Sequence, residues 1–144
     1  MLLEHRSDSE DRARPVGFAG PARIPCTADA AKANDVEVVF LATPPEVSMD
    51  LTPGFLEAGV KVVDLSGAFR FPTAELYTHW YKAEHKAAGL LAEAVYGLPE
   101  FYRAAVAGKR LVSNPGCYPT AANLALRPLV QAGVVDRAAG VVCD

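Results

Sequence analysis

No apolar run in this sequence reaches the roughly 18 residues that a membrane-spanning helix needs. The opening residues, Met1 to Arg6, lack the long apolar core of a secretory leader. A membrane is therefore not an expected partner. Cysteine is scarce: Cys26, Cys117 and Cys143 are odd in number and widely spaced, which excludes a disulfide framework and any C-x-x-C metal pattern. The expected setting is reducing and cytoplasmic. Basic charge is also missing. A net charge of −3 gives no positive field, so a nucleic-acid partner has no electrostatic support. What remains is ordinary globular material, 51% apolar and 22% charged, well short of the composition of disorder. The 144 residues suffice for one domain, or for pieces of two.

The first 35 residues carry little regular pattern. Ser7 to Arg14 is a charged run that reads as a solvated loop. Gly17-Phe18-Ala19-Gly20 lacks the third glycine, the preceding strand and the following helix of a dinucleotide fingerprint. A short helix is expected between Asp29 and Lys32, and Cys26 has no assigned role.

From Val36 the texture changes. Val36 to Ala42 is almost wholly apolar and β-branched, which predicts a strand covered on both faces. Thr43-Pro44-Pro45 stops it. Glu46 to Ala58 repeats apolar residues at helical spacing, with Pro53 and Gly54 weakening the middle and Gly59 ending it. Val60 to Leu65 is a second buried strand, broken by Ser66-Gly67. Strand, helix and strand make a βαβ unit and hence a parallel sheet. Ligands collect beyond the carboxyl ends of such strands. That rule points at Thr43-Pro44 and at Ser66 to Arg70, where the fork of Arg70 suits a phosphate or carboxylate. A plain surface arginine, or one paired with Asp64, fits the pattern equally well.

Residues 71–109 read as an irregular aromatic-rich connection, with short helices over Glu84–Leu91 and Pro99–Ala107. His79 and His85 are not spaced as a zinc pair, and no metal is expected. Lys109 to Ser113 is the third strand. It enters Asn114-Pro115-Gly116-Cys117-Tyr118-Pro119, a sharp turn with a thiol where the next helix begins. Unpaired N–H groups and the helix dipole favour an anion there, the setting of a reactive cysteine. A small buried thiol after a turn is the plainer alternative. Pro128 is expected to bend or divide this helix near Leu126. Val134-Val135 and Gly140 to Cys143 read as new strands, with Cys143 structural.

Val112 to Ala121, continuing to Leu126-Arg127-Pro128-Leu129, closely resembles the active-site signature of the N-acetyl-γ-glutamyl-phosphate reductase family. Val38 to Pro44, Val62 to Arg70, His79-Trp80-Tyr81 and Val95 to Glu100 stand in the order that family shows, so the resemblance covers about residues 36–144. It implies an α/β fold, a partial Rossmann-like parallel sheet without its first βα unit, leading into the start of an α+β catalytic domain. Residues 1–116 would form the carboxyl-terminal part of a dinucleotide-binding domain, and 117–144 the active-site helix and the beginning of the catalytic domain. Leu2 to His5 would be the tail of the first helix.

The resemblance also implies chemistry. Cys117 would attack an acyl phosphate, release phosphate and hold the acyl group as a thioester, and NADPH would reduce that thioester to a semialdehyde in arginine biosynthesis. Thr43, Pro44, Ser66 and Gly67 would lie near the nicotinamide, while Arg70 and Asn114 would hold substrate. The full-length form would be a homo-oligomer. Ala68 stands where family members carry an acidic residue, and neither the glycine-rich fingerprint nor the histidine base is found in these 144 residues. The chain alone is therefore expected to lack reductase turnover. An aminoadipyl-phosphate reductase of lysine biosynthesis, or a non-catalytic remnant that binds a partner chain, are the alternatives. A cysteine phosphatase needs an arginine about six residues after the nucleophile, where Asn123 stands.

Overall fold

The computed structural model describes residues 23–143 and the backbone of residues 2–4. The charged run Ser7–Arg14 and the Gly17–Gly20 segment lie outside the described residues. Strands β1 (Leu2–Glu4) and β2 (Arg23–Pro25) pair in parallel as a separate two-stranded sheet. Helix α1 (Ala28–Ala33) follows, its first turn capped by Thr27 Oγ1 accepting from the Ala30 N–H. Then come β3 (Val38–Leu41), α2 (Pro45–Glu57), β4 (Lys61–Asp64), α3 (Ala74–Tyr81), a 3₁₀ turn at Ala88–Leu90, β5 (Val95–Tyr96), α4 (Pro99–Val106), β6 (Leu111–Ser113) and α5 (Cys117–Gln131). The main sheet is all parallel in the order β3-β4-β6-β5. This is the Rossmann-like α/β class.

The core forms where α2 meets the sheet. Phe55 is 1% exposed, and it joins Met49 and Leu56 of α2 with Val39, Leu41, Val62 and Leu111 of the strands in one buried cluster. Helix α2 keeps its course through Pro53, and Gly59 (φ +82°) closes it while its N–H donates to the Leu56 carbonyl at 3.1 Å.

Six expectations are corrected. Leu2–Glu4 is a strand, not the tail of a helix, because its partner lies about twenty residues further on and leaves no local signature. Strand β3 is covered on one face only. Val39 and Leu41 point into the core, but Phe40 is 66% exposed on the other face. Residues 71–109 hold an ordered helix, α3, fixed by Thr73, whose hydroxyl accepts from the Leu76 N–H at 3.3 Å. Only Ala88–Leu90 of the expected 84–91 helix forms. At the other end, α5 runs unbroken through Pro128, whose missing N–H removes a single bond near the helix end. No strand forms at 134–135 or 140–143, so Cys143 is an exposed thiol rather than a strand end.

Strand β5 is too short to read from sequence and depends on a close approach. The Gly97 N–H donates to the Ser113 carbonyl at 2.8 Å, and a Cβ on Gly97 would meet Val112 Cγ1 at 2.7 Å and that carbonyl at 3.2 Å. Helices α4 and α5 are tied by Arg127, whose guanidinium stacks 4.3 Å from the Phe101 ring centre and 4.9 Å from that of Tyr102.

Burial sets the pH response of this core. It raises the phenol pKa of Tyr77 and that of Tyr96, the latter partly offset by the positive charge of Arg70. It raises the thiol of Cys26 as well. Each folded-state pKa lies above its unfolded value, so the stabilisation is complete below the unfolded values, about 8.5 for cysteine and about 10 for tyrosine, and is lost as pH rises through the folded ones. Urea midpoints should therefore fall between pH 8 and pH 10.5. A midpoint that rises over that interval would contradict the burial of these groups.

Candidate active site

Three adjacent strands deliver their carboxyl ends to one edge of the main sheet: β3 into Thr43-Pro44, β4 into Ser66 to Arg70, and β6 into Asn114 to Cys117. Every residue expected to serve a site falls on one of these three exits. The strands bring the last two groups into direct contact.

Arg70 is the link. Its Nε donates to the Asn114 carbonyl at 3.0 Å and its Nη2 to the Leu65 carbonyl at 3.1 Å, so one guanidinium bridges the ends of β4 and β6. It does not pair with Asp64, whose buried carboxylate accepts from the Ser66 N–H (3.1 Å) and the Ser66 hydroxyl (2.9 Å). Two backbone carbonyls thus occupy Nε and Nη2. The remaining nitrogen, Nη1, faces the cysteine turn, where a Cβ on Gly116 would lie 3.2 Å from it. A Cβ at 116 would require this nitrogen to give way by a few tenths of an ångström.

Cys117 opens α5, a helix of 15 residues with Gly116 as its N-cap and no side chain capping it. Pro119 contributes no N–H, so the donors of Cys117 and Tyr118 stand at the helix mouth. Thr120 closes the first turn through its N–H and its hydroxyl, both donating to the Gly116 carbonyl at 3.0 and 2.8 Å. The thiol is exposed, which removes the buried-thiol alternative. Cys26, by contrast, is half-buried and its thiol is pushed up by desolvation. Iodoacetamide at pH 7.5 should therefore label Cys117 well before Cys26, as followed by peptide mass. Equal rates would place Cys117 in a different environment.

The other expected residues are engaged differently. Asn114 spends its amide on the Pro115 carbonyl (Nδ2 donating, 3.0 Å), while its backbone N–H donates to the Asp64 carbonyl at 2.8 Å. Thr43 shares a 2.8 Å hydroxyl–hydroxyl bond with Ser48 and makes no hydrogen bond to the Arg70 group. Ser66 is committed to Asp64, and its hydroxyl accepts from the Ala68 N–H at 3.0 Å. Gly67 lies under the Tyr81 hydroxyl, 2.6 Å from where a Cβ would stand.

Sequence reasoning missed three residues here. Asp64 was visible as a lone charge ending an apolar strand. Tyr81 was visible only as one aromatic among several. His85 was considered for metal and set aside; it is buried, with Nε2 2.8 Å from the Ala68 carbonyl. No group of three or more metal-ligating side chains occurs among the described residues. None of the described helices is long and apolar enough to cross a membrane.

A nicotinamide nucleotide can be tested against this edge. Helix α2 begins beside Thr43 with Pro44 as N-cap and no side chain capping it. The first-turn N–H groups of Glu46 and Val47 are thus free to meet the polar groups of a nucleotide. The donor set fits.

Residues 4–109 match the family profile described as semialdehyde dehydrogenase, NAD binding domain. The chain is 50% identical over 111 residues to an N-acetyl-gamma-glutamyl-phosphate reductase of Magnetococcus marinus, covering 76% of this chain and 32% of that protein. It is 57% identical over 102 residues to the same-named protein of Thermus thermophilus (71% and 29%), and 51% over 103 residues to that of Methanopyrus kandleri (72% and 30%). The chain spans about a third of the length of these relatives.

Proposed function

We propose, from the premise that this chain belongs to the semialdehyde dehydrogenase NAD-binding family, that it serves the NADPH-dependent reduction of N-acetyl-γ-glutamyl phosphate to the semialdehyde, with Cys117 as nucleophile. Residues 1–116 act as the carboxyl-terminal part of the dinucleotide-binding domain and 117–144 as the entry to a catalytic domain. The observation that carries the reading is the exposed Cys117 thiol at a helix mouth with no side-chain cap, next in sequence to Gly116, toward which the Arg70 guanidinium is turned.

The chemistry of the acyl step follows from these groups. The Cys117 sulfur attacks the acyl carbonyl as the thiolate, its proton given up to solvent; the S–C bond forms, the C–O bond to phosphate breaks, and phosphate leaves with the electron pair. The N–H groups of Cys117 and Tyr118 stabilise the oxyanion of the tetrahedral intermediate. Arg70, with Nη1 turned toward Gly116, neutralises the leaving phosphate. Thr43 and Pro44 with the α2 N–H groups, and the Ser66-Gly67 turn, would hold the nicotinamide nucleotide. When bound, that group supplies the hydride that reduces the thioester. Asn114 acts through its backbone, which anchors the turn to Asp64 and Arg70.

The test is the acyl step alone. Mixing the chain with N-acetyl-γ-glutamyl phosphate should release about one inorganic phosphate per molecule in a rapid first phase, as covalent catalysis requires. Release no faster than hydrolysis in buffer would refute the proposal. Running the aminoadipyl analogue in parallel separates the two substrates.

A further inference from the structure

His85 sits in the irregular segment after α3, yet it is buried and both ring nitrogens are engaged. Nδ1 accepts from the Ala87 N–H at 3.2 Å, which requires it to be unprotonated. The ring proton therefore resides on Nε2, which donates to the Ala68 carbonyl at 2.8 Å. Phe69 and Tyr77 hold the ring edge-on, at 5.6 and 4.9 Å between centres. Ala68 itself is fully buried, and its N–H donates to the Ser66 hydroxyl, which donates to Asp64. A continuous hydrogen-bonded chain thus runs from the end of β4 through Ser66 and Ala68 to His85. Within that span lies Gly67, and two residues beyond Ala68 lies Arg70.

We infer that His85 is a positioning residue for the anion-holding edge: its Nε2–H grips the Ala68 carbonyl and so fixes where Arg70 stands. Asp64 and Ser66 hold the start of the 64–70 loop. Without a grip on the Ala68 carbonyl, the remainder would rely on the buried side chains of Ala68 and Phe69, which have no directional bonds, and on Arg70's own bonds to Leu65 and Asn114, whose geometry aims Nη1 at the cysteine turn. The histidine does not reach the reacting atoms. This inference rests on the reading of Arg70 and Cys117 given above.

Two amide variants of the full chain separate the two ring nitrogens. His85→Gln places an N–H donor near the position of Nε2, whereas His85→Asn restores only an acceptor near Nδ1. Folding is checked by circular dichroism. Hydrogen exchange is then measured at the amides of residues 66–70 and at Arg70 Nε–H, and inorganic phosphate is titrated while the Arg70 Nε–H resonance is followed. The expected result is that His85→Gln stays within roughly threefold of the parent chain. His85→Asn should lose roughly tenfold in protection at 68–70 and roughly tenfold in phosphate affinity, the scale of one lost buried hydrogen bond. The amides of β4 should not change in either. Equal losses in both variants, equal protection in all three chains, or failure of both variants to fold would overturn the inference and leave His85 a packing residue. If phosphate does not bind the parent chain while exchange follows the expected pattern, the positioning role stands and the anion reading of Arg70 falls.

Discussion

Serine in place of Cys117 is expected to slow phosphate release from the acyl phosphate by at least about a thousandfold, because the covalent route is lost and only binding remains. The substitution is close to isosteric. Cys117 is exposed at the first position of α5 and contributes nothing to the buried core, so stability should hold within about 0.5 kcal/mol. Serine keeps the helix start, the Thr120 bonds to Gly116 and the Arg70 clamp, none of which involves the sulfur. The change therefore removes a nucleophile and little else. Unchanged phosphate release in Cys117→Ser would mean that another group attacks, or that water does.

Truncating Phe55 to alanine should destabilise the fold by about 3–5 kcal/mol, a large part of the 5–15 kcal/mol available to a typical domain. Phe55 is 1% exposed and belongs to the core cluster that α2 forms with the sheet. With urea m-values of about 1–3 kcal/mol/M, the midpoint should drop by at least about 1 M. Phe40 is the internal control. It is the same residue in β3 on the opposite face of the sheet, 66% exposed, and Phe40→Ala should cost less than about 1 kcal/mol. Comparable losses for the two would mean that the Phe40 face is covered in solution.

The same pair of phenylalanines shows what the sequence could and could not convey. A run such as Val38-Val39-Phe40-Leu41 announces a parallel strand through β-branching and the proline stop after it, and β3, α2 and β4 stand where that pattern put them. Whether both faces are covered depends on other elements, and a wholly apolar run looks identical in either case. Strand β5 shows a second limit. Its two residues gain their identity from β6 and from the close approach that Gly97 permits, a long-range fact with no local period. Helix α3 was hidden for a different reason: its aromatic residues suggested an irregular segment, while the cap at Thr73 was the informative signal. Cys117 was legible because a Pro-Gly turn, a thiol and a following helix are all local features. The partners of Arg70 were not, since an arginine after a strand end points equally well to Asp64, to solvent or to two carbonyls. His85 was unreadable as a donor to Ala68, seventeen residues away in sequence.

The central claim is that Cys117 carries the acyl group, and peptide mass spectrometry tests it most directly. The chain is mixed with N-acetyl-γ-glutamyl phosphate, quenched in acid after the first phase, and digested. The predicted result is one acyl adduct on the peptide containing Cys117, removed by hydroxylamine as a thioester should be and absent from Cys117→Ser. An adduct on Cys26 or Cys143 instead, or phosphate release with no adduct at all, would contradict it.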